Sequence, residues 1–287
     1  MIPAPFDYHA PESSQEAVRL LSELVSAGTD VKVLGGGQSL LPVMRMRLAA
    51  PEVVVDLSRA ADLVGVREDG DALVIGAMTT HDTVATDPLV REHARLLALA
   101  TETVADPQVR HRGTFGGALA HADPAGDLPA PALALDAEMV LAGPNGRRTV
   151  AAADFFTDVF TTALAEDELL VEVRVPRYTG WGAHYEKFSR VAQAWSIVGV
   201  AAAVRVDGDS IAEARIGLTN MGSTPVRARS VEQALVGQPA TADAIRRAAT
   251  SAAEGTTPPT DANGDAEYRR HLAGVLTSRA VLAAAAG

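Results

Sequence analysis

Three consecutive glycines close an apolar run: Gly35-Gly36-Gly37-Gln38-Ser39 follows Val31-Lys32-Val33-Leu34. Glycine lets a backbone approach a ligand closely and reach positive φ at no steric cost. A strand that runs into three of them reads as a turn whose N–H groups can face an anion. A second glycine turn, Thr114-Phe115-Gly116-Gly117, is followed by His121-Ala122-Asp123-Pro124-Ala125-Gly126-Asp127. Two such turns could grip a ligand with two phosphates. Neither is a standard nucleotide fingerprint. Leu40 stands where G-x-G-x-x-G needs its last glycine, and no Gly-Lys-Ser/Thr follows for a P-loop. Taken singly, the first turn reads equally well as a tight structural turn.

The flanks of the second turn are dense in polar and turn-forming residues between apolar segments, a composition that marks functional loops. Asp127 precedes Leu128-Pro129 at a helix start, so it is either an N-cap or an acceptor for ligand hydroxyls. The seven histidines show neither HExxH nor paired metal spacing, and no metal site is expected. His121 stands out because it sits in the motif loop. Ser39 lacks the G-x-S-x-G context of a nucleophile. Glu186-Lys187 and Ser189-Arg190 read as a solvated strand edge.

Composition narrows the function further. The net charge of −11 argues against nucleic acid and against anionic membrane surfaces. With no cysteine, the chain can form neither a disulfide nor a thiolate-held iron–sulfur cluster by itself. The N-terminus carries no signal-peptide pattern, the apolar runs are too short to span a bilayer, and a cytoplasmic location is expected.

The elements that must position these turns are legible as an α/β opening. Ser13 and Glu16 suggest a capping box before Ala17, Leu20, Leu21, Leu24 and Val25 at helical spacing, with Gly28 as the stop. Strands are expected over 31–34, 53–57, 73–77, 138–142, 148–151 and 169–175. Gly143-Pro144-Asn145-Gly146 gives a hairpin. Helices are expected over 42–47, 89–104, 128–137 and 155–164, with Thr79–Asp82 available as a cap. After a linker at 176–182 come strands over 184–188, 197–206 and 212–218, then helices over 227–235, 242–254 and 266–285.

Together the two turns resemble those of the flavoprotein (medium) subunit of molybdenum hydroxylases, the carbon monoxide dehydrogenase and xanthine dehydrogenase relatives. Gly36 to Pro42 matches that family's Gly-Gly-(His/Gln)-Ser-Leu-Leu-Pro turn. Thr114 to Gly117 with Asp123-Pro124 and Asp127 matches its second motif. Asp56, Ile75-Gly76-Ala77, Phe155-Phe156 and Tyr185 to Arg190 agree in order and spacing, so the resemblance covers nearly the whole chain.

The resemblance implies an α+β fold. An FAD-binding domain of the vanillyl-alcohol-oxidase type would span 1–176 as two α/β subdomains with a boundary near 57–60. A smaller C-terminal α+β domain would span 177–287. It implies non-covalent FAD, with Leu34, Gly35, Gly36, Gly37, Gln38, Ser39 and Leu40 and the segment Thr114, Gly116, Gly117 and Ala118 around the pyrophosphate and ribityl chain. Asp127 would hold FAD hydroxyls, and Leu164 and Val104 would contact the isoalloxazine. Ala118 departs from the family's asparagine, which removes one side-chain hydrogen bond worth roughly 0.5–1.5 kcal/mol.

No residue would be catalytic in the acid–base sense. Electrons would arrive from [2Fe–2S] clusters on a small subunit, the molybdopterin would sit on a large subunit, and the assembly would be a dimer of heterotrimers. The external acceptor and the substrate stay open. A free-standing flavin oxidase of the same fold, a flavin-free scaffold subunit and, more weakly, an NAD-dependent dehydrogenase are the rival readings.

Overall fold

The computed structural model describes residues 2–287. Its first unit is a three-stranded parallel sheet in the order Asp7–His9, Val53–Asp56, Val31–Leu34. The helix Ser14–Ser26 connects the outer strands, with Ser13 Oγ accepting the Glu16 N–H at 3.2 Å. Glu16 reaches the N–H of Glu12 and not that of Ser13, so the expected capping box closes one residue early.

An antiparallel five-stranded sheet follows, in the order Val66–Asp69, Ala72–Gly76, Leu169–Pro176, Glu138–Gly143, Gly146–Ala151. Its three central strands are buried on both faces, as their near-continuous apolar runs require, while the outer strands Val66–Asp69 and Gly146–Ala151 are polar and largely exposed. Met139, Leu141, Val173 and Val175 pack against the helices of residues 81–134. Val140, Ala142, Leu169 and Val171 pack against the parallel unit.

The last sheet is antiparallel, ordered Gly182–Phe188, Val198–Asp207, Ser210–Thr219, Val226–Arg227. In Val198–Asp207, Val200, Ala202 and Val204 face a core shared with the helices Ala242–Ala249 and Ala266–Ala285. Ala201 and Ala203 face the core that the five-stranded sheet shares with the helices of residues 81–134. Small residues make that seam close: a Cβ on Gly217 would lie 2.3 Å from the Ala130 carbonyl oxygen.

Four sequence expectations are corrected. The segment 155–164 is not a helix. A single turn, Ala152–Phe155, leads into the hairpin Phe156–Asp158 and Thr161–Thr162. Its Thr, Val and Phe content suits extended backbone, and Phe160 at φ 52° ends any helix. The segment 89–104 is two helices, Pro88–His93 and Arg95–Glu102, broken where Ala94 swings to φ −140° and the His93 carbonyl accepts the Tyr178 N–H. The helix from 242 stops at Ala249, beyond which the Thr250 and Ser251 hydroxyls bond back to the carbonyls of Arg247 and Ala248. Asp127 caps no helix: Leu128 is the N-cap of Pro129–Ala134.

Candidate functional site

The two glycine turns meet. A Cβ on Gly36 would lie 2.0 Å from the Arg112 carbonyl oxygen and 2.5 Å from Gly113 Cα, so backbone crosses backbone with no room for a side chain. A Cβ on Gly35 would lie 3.0 Å from Thr114 Oγ1, and Gly37 takes φ 76°. Among the described residues, none accepts a hydrogen bond from the N–H groups of Gly36, Gly37, Gln38 or Ser39.

The second turn differs. Thr114 is the N-cap of the helix Phe115–His121. The N–H groups of Phe115, Gly116 and Ala118 go to Thr79, Ala77 and Thr114 carbonyls, and that of Gly117 to Thr114 Oγ1 at 3.2 Å. Of the two turns expected to offer N–H groups to an anion, only the first has them free. The first turn presents unsatisfied donors, and the second supplies a close-packed floor. Gly116 permits that packing, since its Cβ would lie 2.4 Å from Ala77 Cβ.

Both turns open on one cavity of about 690 Å³. Its wall takes Gly35 to Leu40 from the first turn and Thr114, Gly116, Gly117 and Ala118 from the second. Val104, Asp127 and Leu164 complete the set brought together. Leu34 is the exception. It ends its strand off the wall, and its Cδ1 would meet a Gly37 Cβ at 3.3 Å. Leu164 is placed by the neighbouring loop. Arg148 clasps Glu168 with bonds of 2.7 and 2.6 Å and donates to the Ala163 carbonyl at 2.6 Å, while Glu168 accepts the Ala165 N–H. The guanidinium holds the Glu168 carboxyl below its usual range.

Asp127 reaches the wall through a buried network. Its Oδ1 accepts Tyr185 Oη at 2.9 Å and Ser196 Oγ at 2.7 Å, and its Oδ2 accepts Lys187 Nζ at 2.7 Å. Lys187 also donates to the Thr103 carbonyl, next to Val104. Burial pushes the Asp127 pKa up and the Lys187 charge opposes it. Three of about four acceptor positions on the carboxylate are thus filled, leaving one on Oδ2.

Lys187 is therefore no solvated edge residue, and this corrects the sequence reading. The signal for it was parity: Ala183, Tyr185 and Lys187 share one face of a strand, and the first two are buried. The sequence offers His81 only as part of a cap, yet the residue lines the cavity and is 4% exposed. His121 stacks on Phe160 with centroids 5.0 Å apart, and both residues line the cavity.

Residues 4–178 match the family described as the FAD binding domain in molybdopterin dehydrogenase, and residues 183–284 match the CO dehydrogenase flavoprotein C-terminal domain. The chain belongs to the FAD-binding medium subunits of the molybdenum hydroxylases. It is 45% identical to the carbon monoxide dehydrogenase medium chain of Hydrogenophaga pseudoflava, over 99% of this chain and 98% of that one. It is 36% identical to the nicotine 6-hydroxylase medium subunit of Paenarthrobacter nicotinovorans, with 97% of each chain covered. Among solved structures, quinoline 2-oxidoreductase from Pseudomonas putida 86 superposes with a TM-score of 0.94 at 34% identity, covering 100% of this chain and 99% of that one.

As a medium subunit of this family, the chain is the FAD-binding, electron-transferring part of an oxidoreductase complex. The site fits that cofactor on its own terms. A cradle that any Cβ would fill carries unsatisfied backbone donors, which suit a pyrophosphate. The cavity beyond it carries apolar side chains at Val104 and Leu164 and a polar cluster at Asp127 and Lys187, which suit a ring with a polar edge. Among the described residues, no helix is long and apolar enough to cross a membrane.

Proposed function

We propose that this cavity holds FAD non-covalently and that the chain relays electrons from a cysteine-rich iron–sulfur subunit to an external acceptor. The observation that carries the placement is the row of unpartnered N–H groups at Gly36 to Ser39, pressed against Arg112-Gly113. These donors, with Gly35 and Leu40 beside them, would surround the pyrophosphate. Thr114, Gly116, Gly117 and Ala118 would form the floor under the ribityl chain. Leu34 would act from behind, by fixing Gly37.

Bound FAD supplies reversible one- and two-electron chemistry; the protein supplies orientation and electrostatics. Val104 and Leu164 would contact the ring and help exclude water from it. Lys187, buried and held by Asp127, would place a fixed positive charge beside the ring's polar edge. The remaining acceptor position on Asp127 Oδ2 would take one hydroxyl. No side chain has to move a proton in this scheme.

The molybdopterin would reside on a large subunit, with the three chains assembled as a dimer of heterotrimers in the cytoplasm. Support for the partners comes from the absence of any cysteine here and from relatives whose names carry carbon monoxide dehydrogenase and nicotine hydroxylase activities. The boundary between FAD-binding and C-terminal domains would fall at 176–177, close to the gap between the two family matches.

The test is an absorption spectrum of the purified protein before and after heat denaturation. Bands at about 370 and 450 nm that pass to the supernatant are expected for a non-covalent flavin. A colourless protein that does not take up added FAD would favour a scaffold subunit instead. Substrate turnover by the isolated chain would favour a free-standing oxidase.

A further inference from the structure

His81 has no role in the scheme so far, yet its surroundings are those of a binding group. The residue opens the helix His81–Thr86, where Thr80 is the N-cap, and its N–H donates to the Gly113 carbonyl at 2.9 Å. Its backbone is therefore tied to Gly113, the residue just before the second glycine turn. The ring is 4% exposed and lines the cofactor cavity. Its Nδ1 is sealed from solvent and has no hydrogen-bond partner.

Gly113 explains how the other nitrogen stays open. A Cβ there would lie 2.7 Å from His81 Cδ2 and 2.9 Å from Nε2, so any side chain at 113 would press onto that edge of the ring. The glycine is needed for this close approach. On its other side the same residue meets the first turn, since a Gly36 Cβ would lie 2.5 Å from Gly113 Cα. Nε2 and the unpartnered N–H groups of Gly36 to Ser39 thus flank one glycine of the cavity wall.

Burial brings the His81 pKa down to about 4, with the nearby Arg110 charge acting in the same direction, so the ring is neutral at physiological pH. A neutral imidazole carries one proton. On Nδ1 it would be a buried N–H with no acceptor, a rarely tolerated arrangement; Nε2 is the nitrogen that is not sealed, on a ring that lines the cavity.

Resting on the FAD assignment above, we propose that His81 is a further cofactor-binding residue, which donates an uncharged Nε2–H hydrogen bond to a pyrophosphate oxygen of FAD and so completes the donor row of the first turn.

The experiment uses the full chain with its flavin removed. Affinity is measured for FAD and for ADP, which carries the pyrophosphate without the flavin, in wild type, His81→Leu and His81→Gln. The ring tautomer is followed by 15N NMR of labelled histidine. Loss of one hydrogen bond to a charged group should weaken FAD roughly tenfold in His81→Leu and ADP by the same factor, with His81→Gln restoring most of it. The wild-type ring should hold its proton on Nε2, and that signal should shift on adding ADP. Equal affinities in a folded His81→Leu variant would overturn the inference. So would a proton on Nδ1, or an Nε2 signal indifferent to ADP, and these two readings stand even if the variant does not fold. A penalty for FAD but none for ADP would also overturn it, by moving the contact away from the pyrophosphate. If wild type bound neither ligand, the FAD assignment would fall along with it. If wild type bound FAD and the variant did so equally well, only the role of His81 would fall.

Discussion

Lys187 Nζ lies 2.7 Å from Asp127 Oδ2, and the two side chains are 8% and 3% exposed. They come from the two stretches that match different family models, and both line the cavity, so the ion pair ties those stretches together at its wall. Removing one partner strands the other charge away from water, which costs about 3–5 kcal/mol. Lys187→Met should lose stability on that scale in urea unfolding. Adding Asp127→Asn to it should recover most of the loss. The single variant also carries a pH signature. Burial already raises the Asp127 pKa, and without Lys187 nothing of opposite charge restrains it. A raised carboxyl pKa favours the folded state at low pH and disfavours it as pH climbs through that value. Lys187→Met should therefore be less destabilised at pH 4 than at pH 7.

Gly36→Ala tests the crossing of the turns. The added methyl would meet backbone at 2.0 Å, and backbone cannot step aside as a flexible side chain would. The expected outcome is a protein with near-wild-type circular dichroism and no flavin absorbance. Gly274→Ala is the matched control. It lies inside Ala266–Ala285 with its nearest neighbour at 3.4 Å, and should stabilise by about 0.5–1 kcal/mol with flavin content unchanged.

His81 makes the fold acid-sensitive. Its pKa is about 4 in the folded chain, against an ordinary value of 6.5. The unfolded chain therefore binds the extra proton between these pH values, and stability falls as pH drops from 6.5 towards 4. The full effect is roughly 3 kcal/mol. His81→Gln should flatten that part of the stability profile, measured by urea unfolding at pH 4.5 and pH 7.

Arg269 is fully buried and pairs with Asp261 at 2.7 Å, while its other terminal nitrogen donates to the Ile197 carbonyl. Asp261 is 44% exposed and would be re-hydrated if the arginine were lost. Arg269→Met should thus cost less than Lys187→Met, roughly 1.5–3 kcal/mol by thermal unfolding. Because Ile197 adjoins Ser196, a donor to Asp127, flavin retention should also weaken.

The sequence was most readable where one physical term dominates. Strands buried on both faces announced themselves as apolar runs, as at Val53–Asp56, Ala72–Gly76 and Val198–Asp207. Both glycine turns were legible because close approach admits no other residue. What stayed hidden depends on partners distant in the chain. Lys187 looks solvated until Asp127, 60 residues away, is folded against it. The break at Ala94 follows from the Tyr178 N–H reaching the His93 carbonyl, and no local propensity encodes that. At 156–162 the apolar residues fall at spacings that either a helix or a strand could use, so the hairpin there is not legible from the sequence. The second turn looked like the first, and only the hydrogen-bond pattern shows that its donors are already taken.

The seam at Gly217 and Ala130 bears on how this subunit can be inherited and rebuilt. With 2.3 Å between an added Cβ and the facing carbonyl oxygen, neither surface can change shape alone. A C-terminal segment transplanted from a relative would bring its own counterpart of Gly217, of Ala201 and of Lys187 to a mould formed by someone else's Ala130 and Asp127. Chimeras should work only when these facing positions travel as a set, so the two segments behave as one heritable piece although each has a core of its own.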